Sequence, residues 1–167
     1  GALPGDQDKR SLGRTYEEIS RVKDLGLGSD TPDAEISLAG AAPEAFRAYK
    51  ARLAGTGNVD FGDLILLPLK VLRDFPEVRE RTRQRFRVIL VDEYQDSNIA
   101  QFHLLRELAG ADSYLCVVGD DDQSIYRFRG AEVGNILSFP QAFPGTEVLR
   151  LERNYRSTRF ILGAAAA

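Results

Sequence analysis

The stretch Val88–Asn98, VILVDEYQDSN, decides how this chain is read. Four apolar residues, three of them β-branched, run without a polar break into Asp92 and Glu93, with Asp96 following after Tyr94 and Gln95. A short continuous apolar run is the pattern of a strand buried on both faces in a parallel sheet. The strand is expected to stop where the carboxylates begin. In open parallel sheets ligands bind beyond the carboxyl ends of the strands. The acidic tip is therefore either a solvated turn or a place where the sheet delivers negative charge to a metal.

The neighbouring sequence extends the pattern. SNIAQFHLLRELAG (97–110) has helical spacing, with Ser97 as N-cap and Gly110 at its end. YLCVVGD (114–120) reads as a second buried strand and EVLRLE (147–152) as a third. Strand–helix–strand units of this size specify an α/β fold with a parallel sheet.

Upstream the periodicity is helical, and it changes near residue 86. In SLGRTYEEISRVKDLGL (11–27), Leu12, Tyr16, Ile19 and Val22 recur at three-to-four spacing, an amphipathic helix stopped near Gly26. LGSDTPDAEISLAGAAPE (27–44) reads as a loop rich in Gly, Pro, Asp and Ser. PEAFRAYKARLAG (43–55) is a helix opened by Pro43 and closed by Gly55. VDFGDLILLPLKVLRDF (59–75) is a more apolar helix carrying Pro68, and PEVRERTRQRF (76–86) a short basic one.

With 43% hydrophobic and 28% charged residues over 167 positions, the chain has a globular composition and enough length for a real core. A net charge of −3 does not mark a nucleic-acid binder by itself. Arginines are nevertheless concentrated in RDFPEVRERTRQRFR (73–87) and again at 127, 129, 150, 153, 156 and 159, so a basic face is compatible with an acidic chain. One cysteine, Cys116, and one histidine, His103, leave no disulfide and no zinc cluster to build; Cys116 reads as a buried packing residue and His103 as a helix-surface or packing residue. The longest apolar run, LILLPL (64–69), is too short to span a bilayer, and no signal-peptide pattern opens the chain. A cytoplasmic protein without a membrane partner is the expectation. Methionine is absent, which points to a piece of a longer protein.

The chemistry available at the strand ends is that of a hard cation and a phosphate. Mg²⁺ takes oxygen ligands and keeps several waters, so one or two carboxylates plus substrate phosphates suffice. Asp92 at the strand tip is the candidate metal residue, and Glu93 beside it could orient and deprotonate an attacking water. The second strand likewise ends in acidic residues, Asp120–Asp122.

DEYQD (92–96), GDDDQSIYRFRGA (119–131) and LERNYRS (151–157), in this order and spacing, closely resemble motifs II, III and IV of the UvrD/Rep/PcrA-type superfamily 1A DNA helicases. The linking NILSFPQAFPGTEV (135–148) is similar to that family too, and the likeness runs from about Asn58 to Ala165. The resemblance implies a RecA-like, P-loop NTPase type of motor domain with a preceding helical subdomain. Residues 1–57 would be part of the inserted helical (1B-like) subdomain, and 58–167 the later part of the first (1A-like) motor domain. It further implies that Asp92 associates with Mg²⁺, that Glu93 activates the hydrolytic water, and that Gln123 senses the ATP γ-phosphate. Arg156 would reach the same phosphate, and Tyr155 would pack on the adenine. On the DNA side, Tyr126, Phe128 and Arg129 would contact single-stranded DNA, where flat side chains stack on bases and cations follow the backbone. Phe61, in VDFGDL (59–64), would line a base pocket. Two positions depart from the family pattern: Phe128 stands where tryptophan is usual, and Gly62 where an acidic or small residue is.

The family's G-x-x-G-x-G-K-[ST] phosphate cradle does not occur in these 167 residues, and GTG at 55–57 lacks the lysine. The resemblance thus implies an internal fragment, without the cradle and the second motor domain, of an enzyme coupling ATP hydrolysis to 3′–5′ movement on single-stranded DNA and duplex unwinding. Its partners would be ATP, single strands, duplex junctions, and repair or replication proteins; the fragment alone would be inactive. Alternative readings are the motor part of a RecB/AddA-like helicase–nuclease, a silent module gripping single-stranded DNA or a protein, and a metal nuclease using Asp92, Glu93 and Asp96.

Overall fold

The computed structural model describes residues 4–120, 123 and 134–165. Three helices build the first core: α1 (Pro4–Asp24), α2 (Asp33–Leu38) and α3 (Pro43–Gly55). Ile19 and Val22 from the α1 stripe meet Ile36, Ala41 and Phe46, all buried. Each large apolar side chain so buried contributes about 1.5–3 kcal/mol. α1 stops where expected, with Gly26 at φ 81° allowing the chain to turn. It begins earlier than the apolar stripe indicated, at Pro4.

The segment read as a loop contains α2, and the reason is packing. Ile36 is completely buried, and Arg47 of α3 holds the approach to the helix. Its guanidinium donates to the carbonyls of Ser29 and Thr31, both at 2.9 Å, and to the Asp33 carboxylate. Six residues are too few to make a helix by propensity alone, so tertiary contacts decide.

α4 (Asp63–Asp74) runs through Pro68, whose ring lies on the exposed side, while Leu66, Leu69 and Leu72 turn inward. α5 (Pro76–Arg85) follows, then β1 (Val88–Val91), a single 3₁₀ turn at Tyr94–Asp96, α6 (Ile99–Leu108) and β2 (Tyr114–Val117). Arg83 of α5 donates to the carbonyls of Glu107 (2.8 Å) and Arg106 (3.2 Å), satisfying the end of α6. The N-cap of α6 is Asn98 rather than Ser97. Asn98 Oδ1 accepts from the Gln101 amide at 2.9 Å, and the Gln101 side chain accepts from the Asn98 amide at 3.0 Å, a reciprocal capping box.

β1 and β2 pair in parallel, Val88 with Tyr114 through Val91 with Val117. Ile89, Val91, Leu115 and Val117 face a second core around Tyr94, Leu105 and Phe139. The expectation of strands buried on both faces is corrected here. Val88 and Leu90 are 62% and 72% exposed, because among the described residues the sheet has two strands and its other face is uncovered. EVLRLE is likewise not a strand: among the described residues it has no ladder partner, and Val148, Leu149 and Leu151 are exposed. β-Propensity needs a neighbouring strand or a face to pack on before it becomes structure. Three short helices complete the described chain: α7 (Gly134–Leu137), α8 (Phe139–Ala142) and α9 (Arg159–Ala165). Among the described residues no helix is long and apolar enough to cross a membrane.

α1 also reaches the α/β part. Asn98 Nδ2 donates to Asp24 Oδ1 at 2.8 Å. Burial at this contact raises the Asp24 carboxyl from 3.8 to about 6, against the lowering effect of that hydrogen bond. The folded chain thus holds a proton that the unfolded chain releases, so this contribution to stability is complete below pH 3.8 and lost as pH rises through about 6. Asp24→Asn, which keeps an acceptor for Asn98, is expected to stabilise the chain at pH 7.5 by about 1 kcal/mol after allowing for partial solvent screening, and to give no gain at pH 3.5. Urea denaturation at the two pH values checks this.

Candidate active site at the strand tips

Beyond Val91 the chain turns abruptly. Glu93 lies at φ 50°, ψ 41°, the one non-glycine residue in the left-handed region among those described. Such a conformation costs about 1–3 kcal/mol and persists only where its surroundings impose it. Here the surroundings are specific. Asp92 Oδ1 accepts the Glu93 amide at 2.9 Å, and the Tyr94 amide donates to the Val118 carbonyl at 2.9 Å, pinning the turn to the end of β2. Tyr94 and Gln95 are 1% exposed, so the turn drives two residues inward and leaves the Asp92 and Glu93 carboxylates at the surface.

Gln95 is the buried hinge of this arrangement. Its Nε2 donates to Glu93 Oε2 at 2.7 Å, and its Oε1 accepts the Asp120 amide at 3.1 Å. Close approach is possible because residue 119 is glycine: a Cβ there would lie 2.7 Å from Gln95 Oε1 and 2.8 Å from Ile136 Cδ1. Gln123 Nε2 in turn donates to Asp120 Oδ2 at 2.6 Å. Asp92, Glu93 and Gln123 are thus brought into one connected group, through two residues whose roles the sequence reading had not assigned.

The donor set suits a hydrated hard cation. Asp92 offers an exposed carboxylate at a strand end, and among the described residues no cluster of three or more His, Cys, Asp or Glu could enclose an ion.

Phe61 stands on a separate turn. It is 85% exposed, between Asp60 and Asp63, and both carboxylates bind Lys23 Nζ, at 2.6 and 2.9 Å. Lys23 is itself 2% exposed. Tyr49 donates to Asp60 at 2.8 Å and Lys50 to Asp63 at 2.6 Å. Asp60 Oδ1 accepts the Asp63 amide at 2.9 Å, which closes the turn. Burial pushes the Asp63 carboxyl up, but hydrogen bonds from Lys50 and Lys23 outweigh it and hold the group below its ordinary value; Asp60 behaves likewise through Lys23, the Asp63 amide and Tyr49. Gly62 is explained as well: a Cβ there would sit 2.8 Å from Lys23 Cδ. Nothing in the sequence spacing announces Lys23, whose partners lie 37 and 40 residues away.

Tyr155 and Arg156 lie in an exposed turn closed by Asn154 Oδ1, which accepts the Arg156 and Ser157 amides at 2.9 and 2.8 Å. Tyr155 is 82% exposed, with the Arg153 guanidinium 4.9 Å from its ring centre. The hydrogen bonds described for this turn are internal to it. Tyr126, Phe128 and Arg129 lie outside the described residues.

The profile of the UvrD/REP helicase N-terminal domain matches residues 6–144. The chain belongs to this family. It is 48% identical over 147 residues to the ATP-dependent DNA helicase UvrD1 of Mycobacterium tuberculosis, covering 84% of this chain and 18% of the relative. It is 45% identical over 151 residues to DNA helicase II of Rickettsia typhi (89% and 23%), and 48% identical over 122 residues to the ATP-dependent DNA helicase PcrA of Bacillus subtilis (73% and 16%). The chain therefore spans between 16% and 23% of the length of these relatives. The UvrD/REP match also takes in most of α1, well upstream of Asn58, where the motif resemblance begins.

Proposed function

We propose that this chain is the part of an ATP-dependent DNA helicase that activates the hydrolytic water and carries part of the grip on single-stranded DNA. The observation that carries this reading is the left-handed turn presenting Glu93 at the tip of a parallel strand, hydrogen-bonded through Gln95 to the strand end that precedes Gln123, in a chain of the UvrD/REP family. Residues 58–167 form the later part of a RecA-like motor, and residues 1–57 belong to its helical subdomain.

In the proposed reaction the water oxygen bonds to the γ-phosphorus, the bond from that phosphorus to the ADP oxygen breaks, and the water proton passes to the Glu93 carboxylate. Asp92 would hold Mg²⁺, which neutralises charge on the phosphates. Gln123 and Arg156 meet the γ-phosphate, and Tyr155 packs on the adenine; a guanidinium offers phosphate oxygens a fixed fork of donors. Phe61, Tyr126, Phe128 and Arg129 contact the single strand. Movement runs 3′–5′ and opens duplexes, in the cytoplasm.

The phosphate cradle is absent from these 167 residues, so ATP turnover is assigned to the longer protein and not to the chain by itself. The test is ATP hydrolysis by the complete protein with and without single-stranded DNA. DNA-stimulated turnover is expected, and equal rates under the two conditions would overturn the reading.

A further inference from the structure

Gln95 occupies a position that few side chains could fill. It is buried between an exposed carboxylate that can only accept hydrogen bonds and a backbone N–H that can only donate one. The amide must therefore place Nε2 at Glu93 and Oε1 at Asp120. Glutamate at this position would offer no donor to Glu93, lysine no acceptor to Asp120, and methionine neither. The contact to Glu93 also stabilises a residue in a costly backbone conformation, which fixes where its carboxylate points. From Asp120 the connection continues to the Gln123 side chain.

We infer that Gln95 is a positioning residue for hydrolysis, holding the Glu93 carboxylate in place and joining it through Asp120 to Gln123. The inference rests on the ATPase reading above and adds to it a link between the water-activating group and the phosphate-sensing one. A change in the position of Gln123 pulls on Asp120, and the Asp120 amide pulls on the same side chain that holds Glu93. Hydrogen-bonded networks of this kind have consequences larger than the sum of their pairs, because losing one member releases the others.

The experiment compares Gln95→Met and Gln95→Glu with wild type and Glu93→Gln in the complete protein, reading kcat, the KM for ATP and the thermal midpoint. Gln95→Met is expected to lower kcat about 10–100-fold with the KM little changed, since a misplaced catalytic group loses rate rather than binding. Gln95→Glu keeps the acceptor for Asp120 but removes the donor to Glu93, where the present contact is 2.7 Å, so it is expected to lose kcat to a similar extent, again with the KM little changed. A purely structural role would lower the thermal midpoint and leave the kcat of the folded protein at the wild-type value. If Gln95→Met does not fold, the kcat of Gln95→Glu decides. Wild-type kcat in either folded variant would overturn the inference alone. Turnover indifferent to Glu93→Gln would remove Glu93 from the mechanism and this inference with it, while loss of DNA-stimulated turnover in the wild type would overturn the ATPase reading itself.

Discussion

Lys23→Met is expected to destabilise the chain by about 3–5 kcal/mol, the cost of removing one partner from a buried ion pair. The reason is what stays behind. Asp63 is 2% exposed and retains Lys50; Asp60 retains only the Tyr49 hydroxyl and the Asp63 amide among its described partners. A methionine fills the volume of the lysine stem and supplies no charge, so the loss is electrostatic rather than a cavity. Small domains hold about 5–15 kcal/mol in total, which makes this a loss of much of the reserve. The pH dependence has a definite sign. Both aspartates titrate below the ordinary 3.8 in the folded chain, so their contribution is present above that value and lost as pH falls through the folded pKa values. The penalty of Lys23→Met should therefore be largest near neutrality and shrink below about pH 4. Adding Asp60→Asn to Lys23→Met should recover part of it, a coupling that a double-mutant cycle by urea denaturation measures directly.

Glu93→Gln in the complete protein is expected to lower ATP turnover by about 10²–10⁴-fold, the usual worth of a positioned general base. The substitution separates chemistry from folding. A glutamine amide oxygen can still accept from Gln95 Nε2, so the contact now at 2.7 Å survives and the turn keeps its support. The thermal midpoint should stay near wild type while kcat collapses. ATP binding, measured by displacement of a fluorescent nucleotide, should be little affected, because the lost interaction belongs to the transition state. Steady-state turnover indistinguishable from wild type would remove Glu93 from the mechanism.

What was legible in the sequence was local. α3 was bounded correctly from Pro43 to Gly55 because both punctuation marks act within the helix itself. The carboxylates at the end of β1 were legible for the same reason: a buried-type run followed by acid is a local contrast. The errors came where a distant partner decides. EVLRLE has strand composition but, among the described residues, no strand to join, and DAEISL looks like a loop until Ile36 finds the α1 and α3 surface. Asn98 was legible too, since Asn98 and Gln101 have capping-box spacing, but the adjacent Ser97 hydroxyl offers an equally good cap on local grounds. Gln95 could not. It was in plain view inside DEYQD, but its meaning depends on an amide 25 residues away that reaches it only because Gly119 has no side chain.

The lack of room for a Cβ at Gly62 beside the stem of Lys23 limits which substitutions this turn accepts. Positions 23 and 62 are one unit of substitution. A side chain at 62 would collide with the lysine methylenes as they now lie. Any side chain there requires the Lys23 stem to shift, and that stem is fixed by the two carboxylates of the same turn, so the Phe61 turn and helix α1 tolerate substitution only jointly.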